Sequence, residues 1–264
     1  MSATTKELLT DLLAQIVSGG VEVIDLAQPL NEQTPVIRLP EPYANTGGFT
    51  YHRLSDYDEA GPAWYWNDFT AGEHVGTHFD APRHWISGKG KNGVDTMPVE
   101  HMIGEACVVD VTRQCAENPD FLLSVEDILA FEAEHGRIPE RAWFILYTGW
   151  GKYGQNPEKF FNIGEDGMPH TPGISVEASK FLAYERNVLG VGVETVGTDA
   201  GIAATFDPPF PTHYYMHEAN RYGLAQLTNV DKLPARGAIV IATPLKITDG
   251  SGSPVRPIAL VPKK

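Results

Sequence analysis

The stretch over residues 72–84 constrains this chain more than any other, because it is dense in residues that bind metals or move protons. These residues are His74, His78, Asp80 and His84. Gly76 and Pro82 interrupt the stretch, and both residue types are unfavourable inside a helix. We therefore predict an extended chain in which alternate residues, including all four of these, share one face. The alternating apolar residues are expected to face the core: Val75, Phe79 and Trp85.

The spacing of the first three of these residues indicates one metal site. A straight strand would separate His74 from His78 by about 13 Å, which is too far for a shared ion. Gly76 lies between them and permits a bend, because glycine adopts backbone conformations that other residues avoid. Asp80 is the next residue on the face after His78. Two imidazoles and one carboxylate suit zinc, manganese or iron(II) and leave positions for water. We prefer this metal site to three unrelated histidines.

The residues from His74 to His84 resemble the H-x-G-T-H-x-D-x-P-x-H signature of the cyclase-like metal hydrolases. That family includes kynurenine formamidases and isatin hydrolases. Every fixed position of the pattern is matched, so chance is a poor explanation. The resemblance implies a mixed α/β fold of the swivelling β/β/α type, with a central mixed sheet and flanking helices, commonly as a homodimer. It also implies a role in proton transfer for His84.

The composition is that of a globular protein. The chain has 264 residues, 42% of them hydrophobic and 20% charged, which is enough for a sizeable core. Its net charge of −14 argues against nucleic acid or anionic membrane as a partner. We find no signal peptide and no apolar run that could span a bilayer. Cys107 and Cys115 predict reduced thiols rather than a disulfide framework, so we expect a soluble cytoplasmic protein.

Helical and extended patterns alternate along the chain without a repeat or linker, which predicts one domain over residues 1–264. Helices are predicted over residues 4–18, around residue 160, from Ser124 to His135, and over 175–185. Strands are predicted over residues 21–26, 106–111, 143–147 and 188–193, with two more within 49–70 joined by a loop over 56–62.

A second part of the resemblance lies in residues 206–234. In the formamidase branch, a histidine at the place of His213 and a glutamate twelve residues later help to hold a second metal ion. Here that later residue is Ala225, followed by Gln226, and neither is a carboxylate. The resemblance therefore favours the isatin hydrolase branch with one divalent ion, Mn²⁺ in preference to Zn²⁺. Asp199 either supports the site or forms a turn.

The predicted ligands His74, His78 and Asp80 would hold an ion that activates water and polarises a carbonyl. His84 is the predicted general base. His213 is the second catalytic candidate, as a proton shuttle or as a donor to an oxyanion, with a packing role as the alternative. We expect the remaining histidines to be ordinary: His52, His101, His135, His170 and His217.

Aromatic residues directly precede the histidine stretch. Clustered aromatics usually belong to a core, but the chain runs straight from these into the predicted ligands. We therefore expect Trp66, then Trp64, together with Phe69, to line a pocket for a flat aromatic substrate. Gln226 is a further candidate for binding the substrate.

The leading functional prediction is a metal-dependent amidohydrolase that opens a small aromatic cyclic amide, with isatin to isatinate as the first case. An arylformamidase acting on N-formylkynurenine is the alternative within the class, disfavoured by Ala225. A non-haem iron oxygenase is the alternative from another class, because His-x-Asp with a further histidine also forms a facial triad. A metal-binding protein without catalytic activity is the remaining hypothesis.

Overall fold

Helices and strands alternate along the residues that the computed structural model describes, 5–39 and 41–263. The α-helices in this part are α1 (Thr5–Ser18), α2 (Thr112–Glu117), α3 (Val125–His135), α4 (Pro157–Phe161), α5 (Val176–Lys180) and α6 (Pro211–Glu218). The strands are β1 (Val21–Asp25), β2 (Thr50–Asp56), β3 (Tyr65–Thr70), β4 (His78–Asp80), β5 (Ile103–Asp110), β6 (Leu122–Leu123), β7 (Trp143–Tyr147), β8 (Gly173–Ile174), β9 (Gly190–Val193), β10 (Tyr222–Ala225), β11 (Ala238–Ile241), β12 (Gly252–Pro254) and β13 (Ile258–Pro262).

Nine strands form one curled mixed sheet in the order β1-β13-β11-β5-β7-β9-β10-β4-β12. The central strands β5, β7, β9 and β10 run parallel. The strands beyond them on both sides are antiparallel to their neighbours. Pairing of β1 with β13 joins the first and the last strand of the described chain. The predicted mixed α/β architecture with a central mixed sheet is confirmed.

Strand β7 illustrates why the central strands are continuous apolar runs. Its alternate residues Trp143 and Ile145 pack in a core cluster on one face of the sheet, and Phe144 and Leu146 pack in a second cluster on the other face. Both faces are buried, as is usual for parallel strands, so no position favours a polar residue. Helices α3, α5 and α6 supply side chains to the second cluster. The predicted ligand His78 lies opposite Ala225 of that cluster on the neighbouring strand, and so on this helix-covered side.

The local signals for α3 are sufficient to set its beginning. Ser124 Oγ accepts a hydrogen bond from the Asp127 backbone N–H at 3.1 Å, and the Asp127 carboxylate accepts one from the Ser124 N–H at 2.9 Å. This reciprocal pair is a capping box, which satisfies backbone donors that a helix leaves free. The helix predicted from Ser124 to His135 is confirmed.

The β2–β3 hairpin forms a separate two-stranded sheet whose residues are mostly exposed. Its large exposed side chains include Tyr51, Tyr57, Trp64, Trp66 and Phe69. Helix α1 likewise exposes the apolar residues Leu8, Leu9, Leu13 and Val17. The predicted helix is present, but residues 5–39 and 41–263 do not cover these apolar side chains.

Over residues 5–39 and 41–263, no helix has both the length and the apolar character required to cross a membrane.

His170 links two acidic residues in the loops around the small β6–β8 sheet. Its Nδ1 lies 2.7 Å from Asp120 Oδ2 and its Nε2 lies 3.2 Å from Asp166 Oδ1. The hydrogen bond to Asp120, then that to Asp166, raises the pKa of His170 above its ordinary value. A raised folded-state pKa adds stability that is fully present below the unfolded pKa, about 6.5, and is lost as pH rises through the folded pKa.

We therefore expect His170→Gln to lower Tm at pH 5.5 and to lower it less at pH 9.5, as measured by calorimetry. An equal loss of Tm at both pH values for His170→Gln would contradict the prediction.

Candidate metal centre

Strand β4 carries two of the three predicted ligands and is enclosed by its neighbours. It pairs with β10 on one side and β12 on the other, so that Asp80 lies opposite Gly223 and Gly252. Phe79 belongs to the first core cluster. Because successive side chains of a strand alternate, His78 and Asp80 point to the opposite face.

A turn brings His74 back to this strand. Gly76 has a φ of +64°, in the left-handed region that favours glycine. His74 Nδ1 then lies 2.6 Å from Asp80 Oδ1, and His78 Nε2 lies 3.4 Å from the same oxygen. One ligand atom from each of the three residues lies within 4.8 Å of the others. The bend predicted at Gly76 is present.

Two glycines make room for this cluster on the strands that flank β4. A Cβ atom at Gly252 would lie 2.4 Å from Cε1 of the His74 ring, and one at Gly223 would lie 2.9 Å from Asp80 Oδ2. Both distances are shorter than any ordinary carbon contact. His74 and Asp80 can therefore occupy their positions only because residues 223 and 252, on the two strands beside β4, are glycines.

The charges in the cluster match those of a metal ligand set. Burial lowers the pKa of His78, which keeps the imidazole neutral. Burial opposes ionisation of Asp80, but the nearby His78 and His74 outweigh it and hold the pKa of Asp80 well below its ordinary value. His78 Nδ1 lies 2.7 Å from the Gly76 carbonyl and donates to it, which leaves Nε2 free for an ion.

These residues fit one divalent cation. Asp80 Oδ2 is buried and has no hydrogen-bond partner among the described residues, and a buried carboxylate oxygen is costly without a compensating positive charge. The donor set of two nitrogens and one carboxylate is that of a catalytic zinc or manganese site. Within residues 5–39 and 41–263, this is the one group of three such ligands that lie so close together.

His84 lies directly against the cluster. Its ring stacks on that of His74, with 3.8 Å between ring centroids and 29° between planes. Burial, and then the proximity of His74, holds the pKa of His84 well below its ordinary value. A neutral imidazole at this place can accept a proton from a molecule bound at the cluster.

The expectation that Trp85 packs into the core is wrong. Residues Pro82–His84 form a single 3₁₀ turn, which breaks the alternation of an extended chain. The centroid of the Trp85 ring therefore lies 4.8 Å from that of the His213 ring and 5.4 Å from that of the Phe210 ring. It forms an aromatic wall beside the candidate catalytic histidines.

His213 comes from the first turn of α6 and is held by Asp199. The Asp199 carboxylate accepts hydrogen bonds from the Thr212 and His213 backbone N–H groups, and also from His213 Nδ1. Burial lowers the pKa of His213, but the hydrogen bond and charge of Asp199 outweigh it, so the pKa is raised. His213 Nε2 then faces Asp80 Oδ2 at 3.8 Å.

His217 is the residue whose position the sequence interpretation missed. It follows His213 by one helical turn on α6. The centroid of its ring lies 5.5 Å from that of the His213 ring and 6.1 Å from that of the His84 ring. Nδ1 lies 3.0 Å from the Arg221 carbonyl, and Nε2 is buried with no hydrogen-bond partner in the part of the chain that the structure describes. Burial, and then the charge of His213, lowers its pKa to about 4. The four-residue spacing from His213 was the available signal.

The predicted substrate-binding residues fall in three places. Trp64 and Trp66 contact each other edge to face and are 48% and 56% exposed, so they do not enclose a pocket within this chain. Phe69 lines a cavity of about 700 Å³ beside residues 72–73. Gln226 is buried next to Thr77, whose hydroxyl donates to the Gln226 backbone carbonyl at 2.7 Å. The side-chain oxygen Oε1 of Gln226 has no hydrogen-bond partner among the described residues.

Comparison with known proteins gives one consistent picture. A family model described as putative cyclase matches residues 24–200. The chain is 45% identical to an isatin hydrolase from Roseibium aggregatum, covering 98% of this chain and 99% of that protein. A kynurenine formamidase from Bacillus cereus is 27% identical, covering 90% of this chain and 96% of that protein. A crystal structure of an isatin hydrolase bound to the product analogue thioisatinate matches with a TM-score of 0.96 at 44% identity, covering 99% of this chain and 100% of that chain.

Proposed function

Because the chain belongs to the cyclase family and is an isatin hydrolase homologue, we propose that it opens isatin, a small aromatic cyclic amide, to isatinate. The observation that carries the proposal is the cluster of His74, His78 and Asp80 with a neutral His84 stacked against it. In this reaction water adds to the amide carbonyl carbon and the ring C–N bond breaks. One proton of the water passes to the nitrogen, and the new carboxylic acid ionises.

We propose that His74, His78 and Asp80 hold one divalent ion. When bound, such an ion polarises a carbonyl and lowers the pKa of water. His84 accepts a proton from the attacking water, because its pKa is held low and the ring is neutral. The same histidine can return this proton to the leaving nitrogen.

His213 acts on the carbonyl oxygen in this proposal. Nδ1 donates to Asp199, whose hydrogen bond and charge raise the pKa of His213 and so favour the doubly protonated ring, with its second N–H on Nε2 facing the cluster. A fixed N–H donor can stabilise the negative charge that develops on the oxygen as water adds. His213 is thus the oxyanion donor, and Asp199 fixes its orientation.

We propose Mn²⁺ as the physiological ion, with Zn²⁺ as the alternative. The ligand set supplies three donors, two nitrogen and one oxygen, so that several positions remain for water and substrate. Manganese accepts six ligands with oxygen among them more readily than zinc, which prefers four.

We propose that the protein is a homodimer in which the β2–β3 hairpin is covered by the second copy. A two-stranded sheet on its own is at best marginally stable in water, and this one exposes Tyr51, Tyr57, Trp64, Trp66 and Phe69. Exposed apolar patches of this kind mark interaction sites. In such a dimer Trp64 and Trp66 line the substrate pocket of the partner, while Trp85 and Gln226 contact the substrate from the same chain.

Cys107 and Cys115 support a cytoplasmic location. Both are free and buried, and burial raises the pKa of each thiol to about 12. We propose that the protein works in a reducing compartment, where such thiols persist.

The test is ring opening of isatin by metal-stripped protein that is reconstituted separately with Mn²⁺ and with Zn²⁺. The loss of isatin absorbance measures the rate. We expect no turnover without metal and higher kcat/KM with Mn²⁺. N-formylkynurenine is the comparison substrate and should be hydrolysed more slowly. Turnover of the formamide in preference to isatin, together with a second bound equivalent of metal, would replace the proposal with an arylformamidase.

A further inference from the structure

Two polar side chains stand behind His74 on the side away from the ligand cluster. His74 Nε2 lies 2.9 Å from Ser251 Oγ, and Ser251 Oγ lies 2.5 Å from Glu73 Oε2. The Ser251 backbone N–H also donates to Glu73 Oε2 at 3.1 Å. A chain of hydrogen bonds therefore runs from the carboxylate of Glu73 through Ser251 to the imidazole of His74.

The direction of each hydrogen bond in this chain is fixed by chemistry. An ionised carboxylate can only accept, so the single hydroxyl proton of Ser251 goes to Glu73. The Ser251 oxygen is then left as an acceptor, and His74 must carry a proton on Nε2 to donate to it. In a neutral imidazole the other nitrogen, Nδ1, is consequently unprotonated.

Nδ1 is the nitrogen that faces the ligand cluster. It lies 2.6 Å from Asp80 Oδ1, so a bare nitrogen lone pair and a carboxylate oxygen meet at close range. Two such acceptors repel each other unless a proton or a metal cation lies between them, and an ion bound here takes the place of the proton that otherwise links His74 to Asp80. The chain of hydrogen bonds from Glu73 through Ser251 to His74 is called the relay below. It selects the form of His74 that can bind a metal ion together with Asp80.

The position of Ser251 is set by the sheet and not by the relay alone. Its carbonyl accepts a hydrogen bond from the Ala81 N–H at 2.9 Å, next to Asp80. Gly252 follows Ser251 and leaves space for the His74 ring. Strand β4, which carries the other two predicted ligands, therefore helps to position both the Ser251 hydroxyl and the His74 ring.

We propose that Glu73 and Ser251 are positioning residues that hold His74 in the Nε2-protonated form and so raise the affinity of the cluster for a divalent ion. The inference rests on the proposed function, because it concerns the same ion. It adds two residues, one of them distant in the chain, to the three predicted ligands. Outer residues of this kind typically change metal affinity by about 10- to 100-fold.

The experiment measures the Kd for Mn²⁺ by chelator competition in intact wild type and in single variants. We expect Ser251→Ala and Glu73→Gln each to weaken Mn²⁺ binding by about 10- to 100-fold. Ser251→Thr keeps the hydroxyl and should restore most of the affinity. Because Glu73 acts through Ser251, the double variant Glu73→Gln/Ser251→Ala should bind no more weakly than Ser251→Ala alone, which a general loss of packing would not reproduce.

Two controls match these changes. Ser253 is a buried serine on β12 whose hydroxyl accepts a hydrogen bond from the Leu245 N–H and donates one to the Pro254 carbonyl, so Ser253→Ala should leave the Kd for Mn²⁺ unchanged. Glu32→Gln removes an exposed carboxylate that accepts from the Tyr51 N–H and controls for the lost charge. Wild-type affinity in folded Ser251→Ala and Glu73→Gln would overturn the relay while leaving the metal site intact. Failure of wild type to bind Mn²⁺ or Zn²⁺ would instead overturn the proposed function, and the relay with it.

Discussion

Replacement of His78 by alanine is expected to abolish measurable ring opening and to weaken Mn²⁺ binding by more than the roughly 100-fold limit typical of outer residues. His78 is buried, and its Nε2 is directed at Asp80 while Nδ1 is held by the Gly76 carbonyl. No other imidazole of the described residues belongs to the cluster apart from His74. The remaining two ligands would hold an ion only weakly.

The measurement combines isatin turnover, titration of Mn²⁺ and circular dichroism of the same samples. Because removal of a buried ring leaves a cavity, His78→Gln serves as a second variant of similar size and should lose metal affinity with a smaller loss of Tm. Full metal affinity in either folded variant would remove His78 from the ligand set. The Ser253→Ala protein provides the unaffected reference.

The second large effect is expected for His84→Asn, and it should separate the base from the ligands. Loss of a positioned general base typically lowers kcat by about 10²- to 10⁴-fold. The Kd for Mn²⁺ should stay within a few-fold of wild type, because His84 stacks on His74 face to face and is not one of the three ligands. A parallel loss of kcat and of metal affinity would mean that His84 acts as a ligand.

The pH dependence of wild type provides an independent check on His84. The base must be unprotonated to act, and its pKa is held well below the ordinary value of about 6.5 by burial and by His74. We therefore expect kcat/KM to be maintained below pH 6.5 and to fall only as pH decreases through the lowered pKa. A decline centred at the ordinary histidine value would contradict the environment described for this ring.

Local sequence patterns predicted the ligand strand well because they act over short distances. The alternation at His78 and Asp80, and the bend at Gly76, depend on residues within one stretch. The error at Trp85 arose where a 3₁₀ turn after Ala81 ended that alternation. A period-two pattern has no information about where a strand stops, and Pro82 was the only local sign.

The rest of the site could not be predicted because it is assembled from distant parts of the chain. Ser251 lies 177 residues from His74, and their hydrogen bond depends on the pairing of β12 with β4. Asp199 was left open between a turn and a supporting role, and only the packing of α6 brings it to His213. The indoles of Trp64 and Trp66 were expected beside the ligands, yet within one chain they lie on an exposed hairpin.

The place of β4 inside the sheet has a consequence for how the protein acquires its ion. Hydrogen bonding to β10 and β12 sets the positions of His78 and Asp80 as part of the sheet, so strand pairing, and not the ion, places these two side chains. An ion present at about 100 times its Kd then adds only about 2.7 kcal/mol to stability. Strand pairing therefore does not select among ions, and affinity alone follows the general order in which Zn²⁺ binds more tightly than Mn²⁺. The Mn²⁺ that we propose would therefore depend on the free-ion concentrations in the cell as well as on the ligand set.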